Sequence, residues 1–200
     1  MAGNGTLQLG AGDALVVVDV QNDFLPGGSL AVPEGEAVVP VLNRYLQAFQ
    51  RRGLPVVASR DWHPMRHCSF SDEGGPWPAH CVMETPGAAF APGLALPSST
   101  LIVSKGSDPA REAYSGFEGT DLHERLKQLG VRRLFVGGLA TDYCVRQTVQ
   151  DALARGYAVI LLQDAIRAVN AQPGDGQRAE QEMLRGGAVP IRHDHLAHAA

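Results

Sequence analysis

Three separate segments of this sequence carry side chains whose types and order suit covalent catalysis. The segment "GGLATDYCVRQTVQ", Gly137 to Gln150, sets Cys144 where a glycine-rich turn runs into a helix-period stretch. With Thr141 or Asp142 as the N-cap, the thiol falls in the first helical turn, where unpaired N–H groups and the helix dipole favour negative charge. A free cysteine titrates at about 8.5, and a helix N-terminus or a neighbouring lysine lowers that value. Lys105 closes one apolar run and Asp19 closes another, so a cation and a base stand at comparable addresses. Thiol, base and cation form the set that nucleophilic catalysis requires. The small residues Gly138 to Thr141 suit a tight turn whose N–H groups can receive an oxyanion.

A second set surrounds "SRDWHP" and "WPAHCV". Asp61 and His63 alternate along an extended segment and so point the same way. With His80 they offer one carboxylate and two imidazoles, a donor set for Zn²⁺, Fe²⁺ or Mn²⁺ with positions left open. His67 is a further candidate ligand or a supporting group. Cys68 and Cys81 are chain neighbours of His67 and His80, and extended neighbours point oppositely, so both members of either pair are not expected on one ion. Taken singly, each of these residues has a plain alternative as a cap, an exit residue or a core filler. Their joint position at strand ends outweighs those alternatives. His193, His195 and His198 in the tail read as a solvated terminus instead.

The elements that must position these residues are legible as alternating runs. Apolar, β-branched stretches occupy Ala14 to Val20, Pro55 to Asp61, Thr100 to Lys105, Arg133 to Leu139, Ala158 to Asp164 and Ala188 to Ile191. The stronger ones are apolar at consecutive positions, as in parallel strands buried on both faces. Between them, "EAVVPVLNRYLQAFQRRG" places Val38, Leu42, Tyr45, Leu46 and Phe49 on one face. "DLHERLKQLG" and "DYCVRQTVQDALARG" are further helical stretches, and a last helix is expected over roughly 176 to 185. Strand and helix in alternation predict an α/β fold, a doubly wound, six-stranded parallel sheet with helices on both faces. One domain is expected over residues 1–200, with its core at about 14–191. Only Trp62 to Pro97 breaks the rhythm, a length of loop that is uncommon without a function. In an open sheet of this kind, ligands bind beyond the carboxyl ends of the strands, where Asp19, Asp61, His63, Lys105 and the Cys144 turn all fall.

Composition narrows the partners. The 200 residues are 44% hydrophobic with a net charge of −4, and no basic run exceeds Arg51-Arg52 or Arg132-Arg133, which disfavours nucleic acid and membrane surfaces. The start "MAGNGTLQLGAGD" has neither the basic nor the apolar part of a signal peptide. Three cysteines, Cys68, Cys81 and Cys144, cannot all pair with one another, and free thiols in a reducing cytosol are expected. No CxxC occurs, which argues against a thiol redox protein.

Together, "VVVDVQNDFLPGGSLAV", "SRDWHP", "WPAHCV", "TPGAAF", "KGSDPAREAYSGFEG" and "GGLATDYCVRQTVQDALARGY" resemble the nicotinamidases among the isochorismatase-like cysteine hydrolases. The match runs in order from Ala14 to about Ile191. The resemblance implies deamidation of nicotinamide to nicotinate and ammonia in NAD salvage, with pyrazinamide as a further substrate. It implies a catalytic triad of Asp19, Lys105 and Cys144 and an oxyanion hole from the N–H groups of Ala140 and Cys144. It implies one divalent metal ion on Asp61, His63 and His80, with His67 a candidate fourth ligand, holding the pyridine nitrogen. Phe24, Trp77, Tyr114 and Leu139 match substrate-binding positions, and Leu139-Ala140 matches a cis peptide. Sibling hydrolases of isochorismate, ureido or carbamoyl substrates share the fold and often the triad, but the Asp61, His63 and His80 set argues against them, because the metal belongs to the nicotinamidase branch. Intact Asp19, Lys105 and Cys144 argue against a purely binding module. Whether the chain is a monomer or a homo-oligomer stays open.

Overall fold

The computed structural model describes residues 6–197. Six parallel strands form one sheet: β1 (Asp13–Val18), β2 (Val56–Asp61), β3 (Leu101–Lys105), β4 (Arg133–Leu139), β5 (Ala158–Arg167) and β6 (Val189–Ile191), in the order β3-β2-β1-β4-β5-β6. Four helices connect them: α1 (Val38–Arg51), α2 (Leu122–Gln128), α3 (Arg146–Ala154) and α4 (Asp175–Arg185). The β2–β3 connection holds no α-helix, only short 3₁₀ turns.

Alternate residues of β1 serve opposite faces. Leu15 and Val17 pack with Val38, Leu42, Tyr45, Leu46 and Phe49 of α1. Ala14, Val16 and Val18 pack with Leu122 and Leu126 of α2, Val149 and Ala152 of α3 and Met183 of α4. Burial on both sides is what the consecutive apolar run demanded. Phe49 is fully buried edge-on to Phe135, 5.2 Å between ring centres. Replacing such a phenylalanine by alanine costs about 3–5 kcal/mol. Helix α1 stops because the N–H groups of Gly53 and Leu54 turn back to the carbonyls of Gln50 and Phe49, the paired bonds of a Schellman cap.

The strand order reverses direction between β1 and β4, and this places the ends of those two strands side by side at the crevice where ligands enter. Gly138 allows the approach. A Cβ there would lie 2.1 Å from the Val18 carbonyl oxygen, and its φ of +130° suits only glycine. β5 runs to Arg167, beyond the Asp164 expected from its apolar stretch, after a register shift opposite Val136 and Gly138. The tail is more ordered than its composition implies. Leu196 is buried and bridges to Leu7, and the His193 N–H donates to Asp164 Oδ2 at 2.9 Å. His198 lies outside the described residues. No described helix is long and apolar enough to cross a membrane.

Candidate active site

Asp19 is the first residue beyond β1 and stands at φ +48°, a backbone region that non-glycine residues occupy at a cost of about 1–3 kcal/mol, usually at functional sites. Its N–H donates to the Ser59 carbonyl, and its carboxylate accepts the Ser59 hydroxyl at 2.6 Å through Oδ1. Lys105 ends β3 opposite Asp61 in the β2–β3 ladder. Its ammonium is buried and donates to Asp61 Oδ1, to the Ala113 carbonyl at 3.0 Å and to Cys144 Sγ at 3.5 Å. Asp19 Oδ2 lies 3.0 Å from the same nitrogen as an ion pair but has no aligned hydrogen-bond donor among the described residues. One carboxylate oxygen is therefore left as the open proton acceptor beside the thiol.

Cys144 sits in one wide turn, Thr141–Val145, that precedes α3; the Tyr143 and Val145 N–H groups both donate to the Ala140 carbonyl. Ala140 is the N-cap position and no side chain caps this start. Neither Thr141 nor Asp142 acts as the expected cap. The Asp142 carboxylate instead accepts the N–H groups of Val169 and Asn170 at 2.9 and 2.8 Å, which fastens the nucleophile turn to the segment after β5. The peptide between Leu139 and Ala140 is cis.

Burial corrects the expected thiol acidity. It holds the Cys144 thiol well above its ordinary range; Lys105 pulls the other way, and the Asp19 and Asp61 charges add to the rise. Burial also raises the Asp19 carboxyl against the pull of Lys105. Lys105 stays charged: burial opposes its charge, but Asp19 and Asp61 together raise its pKa. Burial thus favours the protonated thiol and raises the basicity of the carboxylate beside it, an arrangement suited to proton transfer from Cys144 to Asp19.

On the adjoining wall, Asp61 Oδ2 lies 3.8 Å from His63 Nε2 and 3.9 Å from His80 Nε2. The donor atoms of these three residues lie within 4.8 Å of one another. His63 Nδ1 is 2.9 Å from the Gly106 carbonyl, and His80 Nδ1 is 2.8 Å from that of Pro78. A carbonyl partner requires the proton on Nδ1, which leaves both Nε2 lone pairs facing the carboxylate. That is the arrangement a metal ion needs, and these residues fit one. Gly106 is fixed by this contact, since a Cβ there would meet the His63 ring at 2.5 Å. Asp61 is held through its backbone by Gln21, which accepts its N–H at 2.8 Å and donates to its carbonyl at 2.7 Å.

His67 packs its ring on that of His63, 4.2 Å between ring centres, but its donor atoms are not grouped with those of Asp61 and His80. Its Nδ1 is 2.7 Å from the Ser69 hydroxyl of the same loop and its Nε2 3.1 Å from the Arg111 carbonyl, so both ring nitrogens have protein partners and the second ties two loops together. Glu112, with no motif to flag it, clusters with His63 and His67 and also lines the cavity.

The cavity that Cys144 and Asp61 line is also walled by Phe24, which packs beside His80, and by Trp77, Tyr114 and Tyr143. The Trp77 indole N–H donates to the Tyr114 hydroxyl at 3.1 Å, and Trp77 meets the Tyr143 ring edge-on at 5.1 Å. Leu139 is not part of this lining. It shares its sheet face with Phe135 and is fully buried in the core on the α1 side, so strand alternation turns it away and Ala140 lines the cavity instead. Tyr143 is not among the residues expected from the sequence; its place next to the nucleophile in the chain is the signal that could find it. Ser59 precedes Asp61 by the two-residue strand period, a signal for a shared face. Cys68, Cys81 and Cys144 are all free thiols.

The isochorismatase domain model matches residues 13–195. The chain belongs to this family. Among family members, it is 42% identical over 197 residues to the nicotinamidase of Escherichia coli (strain K12), covering 88% of this chain and 92% of that protein. The crystal structure of the pyrazinamidase of Pyrococcus horikoshii in complex with zinc superposes with a TM-score of 0.87 at 49% identity, covering 90% and 99% of the two chains. A family structure from L. infantum in complex with nicotinate gives a TM-score of 0.86 at 36% identity, over 94% and 96%.

Proposed function

We propose that the chain hydrolyses nicotinamide to nicotinate and ammonia, as a cysteine amidohydrolase of NAD salvage, and that pyrazinamide is a second substrate. The observation that carries this reading is the shared cavity. A buried thiol with an open carboxylate oxygen and an ammonium beside it faces the same space as a carboxylate–imidazole trio and an aromatic slot. The nicotinamidase relatives, the zinc-bound pyrazinamidase and the nicotinate-bound structure support the same substrate class.

Phe24, Trp77, Tyr114 and Tyr143 line the slot that holds a flat pyridine ring. Asp19 Oδ2 takes the Cys144 proton, and the Lys105 ammonium, hydrogen-bonded to Sγ, stabilises the thiolate. The sulfur adds to the carboxamide carbon, and the resulting oxyanion is received by the Ala140 and Cys144 N–H groups. Asp19 then delivers its proton to the departing nitrogen. The C–N bond breaks, ammonia leaves, and a thioester remains on Cys144. Water, deprotonated by Asp19, adds to that carbonyl; the C–S bond breaks, nicotinate leaves and the proton returns to sulfur. Asp61, His63 and His80 would hold a divalent ion, which would supply a Lewis acid able to anchor the ring and so lower the entropic part of the barrier. The donor set suits zinc, iron(II) or manganese(II). We assign this activity to one domain spanning the chain, working on a small molecule, with free thiols that suit a reducing cytosol.

Ammonia release tests the reading. Nicotinamide and pyrazinamide are expected to turn over, and a carbamoyl amide such as N-carbamoylsarcosine is expected not to. Turnover of the carbamoyl compound with nicotinamide inert would overturn it.

A further inference from the structure

We propose that Lys105, besides stabilising the thiolate, keeps the metal ion off the nucleophile by occupying the centre of a second donor set. This rests on the reading that Asp61, His63 and His80 hold a divalent ion. Asp19, Asp61 and Cys144 also bring one donor atom each within 4.8 Å of one another. Asp61 belongs to both sets, with Oδ2 toward the imidazoles and Oδ1 toward Lys105. All three residues are buried. Two carboxylates and a thiolate at that spacing would bind a thiophilic divalent cation, because thiolate is the softer and stronger ligand for zinc and its neighbours in the first transition row. A metal so captured would tie up the sulfur lone pair that must attack the substrate.

The ammonium fills that position. It touches all three donors, at 3.0 Å from Asp19 Oδ2, 3.5 Å from Cys144 Sγ and in hydrogen-bond contact with Asp61 Oδ1. Its remaining polar contact is a neutral carbonyl, that of Ala113. A buried cation among anionic groups is held by its partners, and a divalent ion cannot share the space with it. Unlike a metal, the ammonium offers sulfur only a hydrogen bond, which is given up when the sulfur becomes covalently bonded. One lysine thereby divides a continuous bed of donors into an imidazole side for the ion and a thiol side for chemistry.

Cobalt(II) loading of the full-length chain tests this without reference to turnover. Wild type is expected to bind about one ion per chain, lost in His80→Ala, with no thiolate-to-cobalt charge-transfer band even in excess cobalt. Lys105→Met is expected to bind about two ions and to show that band, and adding Cys144→Ala is expected to remove it. A charge-transfer band in cobalt-saturated wild type would overturn the proposal, and that measurement does not depend on any variant folding. So would Lys105→Met holding a single ion with no band. Wild type that binds no cobalt would instead overturn the metal reading itself, before any Lys105 variant is consulted.

Discussion

Ser59→Ala isolates the contribution of a residue that touches neither the cavity nor the thiol. Its hydroxyl is fully buried and donates at 2.6 Å to Asp19 Oδ1. A hydrogen bond to a charged group contributes about 1.5–3 kcal/mol. For a chain of this length each kcal/mol moves Tm by about 2–4 °C, so Tm is expected to fall by about 3–12 °C. Activity should respond through orientation. Asp19 sits in a strained backbone conformation, and with Oδ1 released its carboxylate can rotate Oδ2 away from the sulfur. Misplacement of a catalytic group by about 1 Å costs up to a hundredfold, so kcat is expected to drop about tenfold to a hundredfold. KM should stay near wild type, because Ser59 does not line the cavity. Thermal denaturation and steady-state ammonia release read the two effects separately. A variant with wild-type kcat would refute the reasoning, since it would mean that Asp19 needs no holding. A raised KM with unchanged kcat would place Ser59 in binding instead.

Cys144→Ala is expected to abolish turnover while metal content and Tm stay near wild type, measured by elemental analysis and melting; residual activity above background would require another nucleophile. The acid limb of kcat/KM should lie above the ordinary carboxylate range, because burial raises Asp19 and the base must be ionised to work. A profile flat down to about pH 4 would contradict an acid limb set by Asp19. Metal removal by chelation, or His63→Ala, should cripple nicotinamide hydrolysis. Benzamide, with the same amide and no ring nitrogen, should start as a poor substrate and lose proportionately little. Equal proportional losses would contradict the anchoring role.

The sheet is readable chiefly from β1 and β4, whose burial on both faces gives nearly unbroken apolar runs, and the residues at the strand ends then fall into place. Asp61 and His63 were predictable as a pair from strand alternation alone. What the sequence hid was the link between the two sets. Asp61 and Lys105 are 44 residues apart in sequence, and only the β2–β3 register brings them opposite each other. The acidity of the thiol is hidden from the sequence for a related reason. Helix position and a nearby lysine both argue for a depressed pKa, but burial, together with the Asp61 charge added to that of Asp19, outweighs them, and neither the burial nor the approach of Asp61 is visible without packing. Asp142 looked like a cap because its chain position suits one, whereas its carboxylate serves a loop 27 residues onward. The stretch from Trp62 to Pro97 lacked periodicity because it is held by isolated bridges such as His63 with Val82 and Phe70 with Trp77, which leave no repeating pattern.

The central claim is that ammonia leaves while the acyl group stays on Cys144. Enzyme mixed with nicotinamide, acid-quenched during turnover and mapped by peptide mass spectrometry tests it directly. The expected result is a single nicotinoyl group on the peptide carrying Cys144, absent without substrate and absent in Asp19→Asn. A nicotinoyl group on Cys68 or Cys81 with Cys144 unmodified, in a preparation that releases ammonia, would contradict the account.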